Sequence, residues 1–271
     1  MNLRKLMKKI ILGGSILTLG ISLVGCSNKS SQGTLNKDTL IVGIDDAFAP
    51  LGFKDEAGEI TGFDIDLAKE LAKRLNKEIN FQPIDWTMKE SELKSGNIDL
   101  IWNGYTITDE RKNKVDFSVP YLKNKQVIVT LADSDINSKS DLANKKVGAQ
   151  SESSAVAAME KESDLYNSFN GGGAITFEDN NQALMDLEAG RVDAVVADEI
   201  LVRYYLSLKG KDKFKILDDN FGEEEYGVGI RKGDTEMVDA FNKAYKEMQE
   251  DGTLQEISEK WFNKDITIKA E

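Results

Sequence analysis

Two charged side chains occupy positions where their chemistry points to recognition. Asp198 follows Ala194-Val195-Val196-Ala197, so a carboxylate emerges from an apolar strand. Such a group needs a partner, and a primary ammonium would serve; capping a helix around Glu199–Ser207 is the plainer alternative. Arg111 lies in Thr108-Asp109-Glu110-Arg111, where Thr108 suits an N-cap and the two acids suit a first helical turn. A cation that early opposes the helix dipole at a cost of about 0.3–1 kcal/mol. An anion resting there would remove the conflict and could take the guanidinium bidentately. The alternative is a solvated Arg111 paired with Glu110 or Asp116. One guanidinium and one carboxylate across a cleft complement a zwitterion, an α-amino acid. Phe48 and Trp86 could sandwich its side chain or simply be core. Asp45, Asp46 and Gln150 could read a polar distal group or serve as turn residues.

Composition removes most other chemistry. The 271 residues include no His and one Cys. That excludes Ser-His-Asp and Cys-His catalysis, His metal ligands, an intramolecular disulfide and a CxxC site. No catalytic residue, metal or cofactor is expected. Lys plus Arg number 35 against 47 Asp plus Glu, a net −12, which argues against a nucleic-acid partner because such binders need a basic face. Apolar residues at 40% allow a sizeable core, and the length suits one or two domains of roughly 100–200 residues each. Gly171-Gly172-Gly173 lacks the Lys and Ser/Thr of a phosphate loop and reads as a turn. Glu223-Glu224-Glu225 reads as a solvated run, without the alternating oxygen ligands of a calcium site.

The elements that must position these residues occur twice. Leu40–Ile44 reads as a strand ending in the turn-rich Asp45–Pro50. Ile65–Asn76, with Leu67, Leu71 and Leu75 at four-residue spacing, reads as an amphipathic helix. Lys89–Ser95 reads as a helix stopped by Gly96, and Ile98–Trp102 as a buried strand running into Asn103–Thr106. Leu93-Lys94-Ser95-Gly96-Asn97-Ile98-Asp99 then finds a counterpart 94 residues later in Leu187-Glu188-Ala189-Gly190-Arg191-Val192-Asp193. Lys146–Ala149 entering Gln150 mirrors Ile41–Ile44 entering Asp45. Strands alternating with helices argue for βαβ units and parallel sheets, and two copies argue for two lobes. Ligands of open parallel sheets bind beyond the carboxyl ends of the strands. Here those ends are Asp45–Phe48, Asn103–Thr106, Gln150–Ser154 and Ala197-Asp198, so facing lobes would line one cleft with them.

The first residues read as an address. Met1–Lys9 carries Arg4, Lys5, Lys8 and Lys9, and Ile10–Val24 carries no charge. That is the pattern of an export signal, too short for the ~20 residues of a spanning helix. Leu23-Val24-Gly25-Cys26 resembles a bacterial lipobox, which makes Cys26 the expected lipidation site. Cleavage after Gly25 would leave 31 − 47 = −16 charges, a body repelled by an anionic membrane surface. Ser27–Asn36 is polar and free of aromatics, so residues 26–38 are expected to form a flexible linker behind a leader of residues 1–25.

Five motifs in order carry a family resemblance: Gly62-Phe63-Asp64-Ile65-Asp66, Asn97-Ile98-Asp99-Leu100, Thr106-Ile107-Thr108-Asp109-Glu110-Arg111, Asp116-Phe117-Ser118-Val119-Pro120-Tyr121, and Gly252-Thr253 with Lys260-Trp261-Phe262. From Leu40 to Asn263 the chain resembles bacterial family 3 solute-binding proteins, the polar-amino-acid receptors of ABC importers. The resemblance implies the two-lobed α/β periplasmic-binding-protein fold (type II), with mixed or parallel sheets flanked by helices and a two-strand hinge. Lobe one is then residues 39–121 and 227–271, lobe two 126–221, with hinges about 121–125 and 222–226. By position in the motifs, Arg111 would clamp the ligand α-carboxylate with Thr106 and backbone near Gly104 and Ser154. Asp198 would take the α-ammonium, Phe48 and Trp86 the side chain, and Asp45 and Gln150 its distal end.

Many relatives carry a glycine-rich loop where this chain has Gln150-Ser151-Glu152-Ser153-Ser154. The implied partners are a polar L-amino acid (arginine or lysine, glutamine, or cystine), ABC permease subunits and, through lipid, the membrane's extracytoplasmic face. The body is expected to be a monomer. The same fold also supports a lyase for cyclic amino-acid precursors, with Glu152 as its acid, and ligand-sensing receptor modules; which of these applies depends on the site.

Overall fold

The structure, a computed structural model, describes residues 33–270. The leader, Cys26 and the linker up to Gln32 lie outside the described residues. The described residues, 33–270, belong to one compact unit, and its core draws on residues from Leu40 to Leu254.

The sequence repeat is a structural one. One five-stranded sheet has the order Glu78–Pro83, Thr39–Ile44, Leu100–Ile101, Gly229–Arg231, Val115–Phe117. The other has the order Ile175–Phe177, Val147–Gln150, Ala194–Asp198, Leu122–Leu131, Phe214–Tyr226. In each, the first three strands are parallel, the fourth runs against both of its neighbours, and the fifth therefore runs with the first three. The repeated aspartate locks each copy. Asp99 accepts from the N–H of Ile41 and donates its own N–H to the Ile41 carbonyl. Asp193 does the same with both backbone groups of Lys146. Gly96 and Gly190 precede them with φ of 83° and 68°, the left-handed turn by which a helix stops and a strand begins.

Local sequence accounts for the helices. Phe63–Arg74 places Asp64 and Asp66 in its first turn and Lys73 and Arg74 in its last, matching the helix dipole. It buries Phe63, Leu67, Ala68 and Leu71 on one face. It starts two residues before the expected Ile65 because Gly62 delivers the chain directly into it. The strand expected over Ile98–Trp102 pairs as a ladder only at Leu100–Ile101, since Ile98 still donates to the Glu92 carbonyl at the preceding helix end.

Leu122–Leu131 and Phe214–Tyr226 pair antiparallel from Leu122↔Tyr226 to Leu131↔Phe214. At one end they touch Thr106 and Thr267 by isolated bridges. At the other they are the fourth and fifth strands of the second sheet. The end of the expected linker is anchored: Thr34 is buried in the turn Thr34–Asn36 and bonds Asp234 and Arg231.

Candidate functional site

Thr108 caps the short helix Asp109–Lys114, its Oγ1 accepting from the Arg111 N–H at 3.1 Å. That fixes the turn from which the Arg111 side chain folds inward, to 7% exposure. Nη1 donates to the Thr106 carbonyl at 3.0 Å and Nη2 to the Glu152 carbonyl at 3.3 Å. The guanidinium carbon stands 4.5 Å from the Tyr105 ring centre. The solvated pairing weighed from sequence is not made: Glu110 pairs with Lys114 and Asp116 with Lys232. Among the described residues, no carboxylate pairs with Arg111. Carbonyl dipoles alone leave a buried positive charge uncompensated, and such a charge calls for an anion. Lys89 adds a second buried cation, donating to the carbonyls of Trp86 and Glu152 at 2.9 and 3.2 Å. Burial, then the Arg111 charge, bring its pKa down to about 8.

The opposite polarity is concentrated on the second sheet. Asp198 ends the apolar strand as expected, but its carboxylate does not cap the following helix. Oδ1 accepts from Asn124 Nδ2 at 2.7 Å, Gln126 Nε2 at 3.1 Å and the Tyr226 hydroxyl at 2.5 Å. Glu224 corrects the reading of residues 223–225 as a solvated run. Strand side chains alternate between faces, so Glu223 and Glu225 are exposed while Glu224 turns inward. Its Oε1 accepts from Asn124 Nδ2 at 2.7 Å, Gln126 Nε2 at 2.8 Å and Thr106 Oγ1 at 3.1 Å. Burial, and then the charge of Glu224, push the Asp198 pKa well up.

The remaining candidates join the lobes. Thr106 Oγ1 meets Ser154 Oγ at 3.0 Å. Gln150 Nε2 donates to Asp45 Oδ2 at 2.7 Å, and Gln150 Oε1 accepts from Asn180 at 2.9 Å. Burial raises the Asp45 pKa to about 6 against the opposing pull of the Gln150 bond. Asn181 donates to the Ala47 carbonyl at 3.0 Å. Trp86 packs edge-on against Tyr105, with ring centres 5.9 Å apart. Phe48 lies over Gly104, where a Cβ would stand 2.9 Å from its ring. One role differs from expectation: the Gly104 N–H is committed to buried Asp64 at 2.9 Å, which also accepts from the Tyr121 hydroxyl at 2.8 Å. It therefore cannot also serve a carboxylate in the cleft. Asp64 is pushed up to about 7 by burial.

Glu152 takes φ of 55°, the left-handed conformation that glycine adopts freely. The loop thus keeps a glycine-like course without a glycine and aims the Glu152 carbonyl at Arg111 and Lys89.

Residues 40–264 match the family model described as bacterial extracellular solute-binding proteins, family 3. The chain belongs to that family. A relative named L-cystine-binding protein TcyJ, from Escherichia coli K12, is 37% identical over 258 residues, covering 92% of this chain and 94% of its own. The arginine-binding extracellular protein ArtP of Bacillus subtilis is 35% identical, covering 94% of this chain and 98% of its own. The crystal structure of an ABC uptake transporter substrate binding protein from Streptococcus pneumoniae with bound histidine superposes with a TM-score of 0.84. It is 40% identical and covers 87% of this chain and 97% of that one. The fold is accordingly the two-lobed α/β periplasmic-binding-protein fold. In this family 3 solute-binding protein, the structure adds Lys89, Asn124, Gln126 and Glu224 to the residues read from sequence. Asn124 and Gln126 were discoverable: two amides at alternate positions of Leu122–Leu131 share one face with Leu122 and Ile128.

Proposed function

We propose that this chain is the extracytoplasmic substrate-binding lipoprotein of an ABC importer, capturing a polar L-amino acid between its lobes. The observation that carries the reading is Arg111, a guanidinium 7% exposed and held by two carbonyls, set against the cation-free Asp198 of the other sheet. The α-carboxylate would bond Arg111 and Thr106, with Ser154 beside them, and the α-ammonium would bond Asp198. Phe48 and Trp86 would pack the side chain, while Asp45 and Gln150 meet donors at its distal end. Arginine, lysine, glutamine and cystine fit that description, and the relatives named for cystine and arginine support it.

Capture is closure of the lobes about residues 121–125 and 222–226, the ligand favouring the closed state by contacting both. Residues 1–25 direct export, Cys26 carries the lipid, and the closed form delivers its cargo to membrane permease subunits. Binding is favoured over the lyase reading because the relatives are named for binding. Glu152, the acid such a lyase would use, exposes its side chain. The test is a thermal-shift panel of the common L-amino acids, cystine and ornithine on the body from Ser27, unfolded and refolded to strip carried ligand. A ligand at 100 times its Kd adds about 2.7 kcal/mol. One clear responder is expected; a flat panel would overturn the reading.

A further inference from the structure

We propose that Glu224 is a ligand-binding residue: with Asp198 it forms a two-carboxylate seat for the ligand's α-ammonium, and the seat holds one shared proton that leaves when the ammonium arrives. This rests on the amino-acid reading above. Asn124 Nδ2 lies 2.7 Å from both Asp198 Oδ1 and Glu224 Oε1. Gln126 Nε2 spans the same two oxygens at 3.1 and 2.8 Å. Carboxylate oxygens that share two donors are close enough that both cannot be charged without a cation. Among the described residues, no Lys or Arg pairs with either.

The surroundings supply none. On its own strand Glu224 is flanked by Glu223, Glu225 and Tyr226, whose hydroxyl is spent on Asp198. The neighbouring strand brings Lys123 and Lys125, but Lys125 lies 3.8 Å from Glu199 at the start of the helix after Asp198. From the first lobe, Arg111 and Lys89 face the carbonyls of Thr106 and Glu152. Gln126 is 1% exposed, and its Oε1 is buried without a protein donor, so the seat still has an acceptor to offer. A primary ammonium is the group that suits two carboxyls and an amide oxygen.

The step balances. The ligand keeps its three ammonium protons; one carboxyl O–H breaks, and its proton passes to solvent through the hollow lined by Lys123, Lys125, Glu199 and Glu224. The seat at −1 and the ammonium at +1 become a complex at −1 and a released proton. Affinity therefore strengthens as pH rises through the range in which the free seat is protonated, by up to roughly tenfold per pH unit.

The test is titration calorimetry of the body from Ser27 near pH 6.5, in buffers of differing ionisation enthalpy. The probes are L-arginine, L-cystine, L-histidine and L-glutamine. Wild type should release close to one proton per bound amino acid. Glu224→Gln, nearly isosteric, should release less than half as much and bind roughly tenfold more weakly or worse. Glu223→Gln makes the same charge change on the exposed face and should alter neither. Absence of release in wild type, equal release in Glu224→Gln, or tighter binding by that variant would overturn the proposal; tighter binding would make Glu224 an internal competitor of the ligand carboxylate. Failure of every probe to bind wild type would overturn the amino-acid reading and the capture step together. Carboxyl-carbon NMR of the pair distinguishes that case, because its shared titration would persist.

Discussion

The two lobes are built to one plan and carry opposite charge into the space between them. Both sheets run four strands one way with the fourth in the order reversed, and both use an aspartate to clamp the third strand in the order to the second. Yet the first lobe brings Arg111, held by carbonyls, and Lys89, held by carbonyls and 3.6 Å from Glu90, while the second sheet brings Asp198 and, from its hinge strand, Glu224, both held by neutral donors. The scaffold sets where strand ends meet; the residues placed there set the polarity. A dipolar ligand laid across the cleft answers both halves at once, which neither lobe does for itself.

Apart from the loss of Arg111, breaking the polarity on the second lobe should have the largest effect. Asp198→Asn removes one partner of a buried charged contact and should weaken amino-acid binding by about 2–5 kcal/mol, read by calorimetry as a rise in Kd of about thirtyfold or more. The buried acids also set a pH dependence of stability. Burial raises Asp45 to about 6 and Asp64 to about 7, and Asp198 is raised as well. Their folded-state pKa values lie above the unfolded ones, so the stability linked to them is complete below about pH 4 and is lost as pH rises through 6–8. Stability should fall by several kcal/mol between pH 5 and pH 8, at about 1.4 kcal/mol per pH unit for each group still protonated only in the fold, and the melting temperature with it; a flat profile would show that these groups stay ionised.

A third prediction sharpens the likeness rather than the contrast. Asp99 is fully buried and pairs with Lys37 and Arg231 in addition to its clamp. Asp193 performs the same clamp in solvent. Asp99→Ala should cost about 2 kcal/mol and Asp193→Ala about 0.5–1 kcal/mol, measured by urea unfolding. Equal costs would mean that the clamp alone matters. The smallest effect is expected at Glu152→Gly. Relief of left-handed strain, offset by glycine's entropy, should raise stability by less than about 1 kcal/mol. Affinity should hold, because the backbone carbonyl does the work.

Much of this was legible before the fold. The repeat around Asp99 and Asp193 predicted two like lobes, and strand ends predicted which segments share a cleft; within it Thr106 bonds Ser154 and Asp45 bonds Gln150. Glu224 was missed because an acidic tripeptide looks solvated until strand alternation sends its middle residue inward. Lys89 was missed because its place at the start of a helix gives no sign that its side chain folds inward, onto the Trp86 carbonyl and the distant Glu152 carbonyl. Which backbone group near Gly104 stays free was not legible, because the Gly104 N–H bonds Asp64, 40 residues away, and such pairing is fixed only by the folded core.

The most direct test of the dipolar cleft is calorimetric titration of wild type and Arg111→Ala with the amino acid that shifts melting most. The variant is predicted to lose binding by about a hundredfold or more while melting close to wild type, because the guanidinium it lacks is paired with no carboxylate. An unchanged Kd would contradict the carboxylate role of Arg111 and, with it, the amino-acid reading of the site.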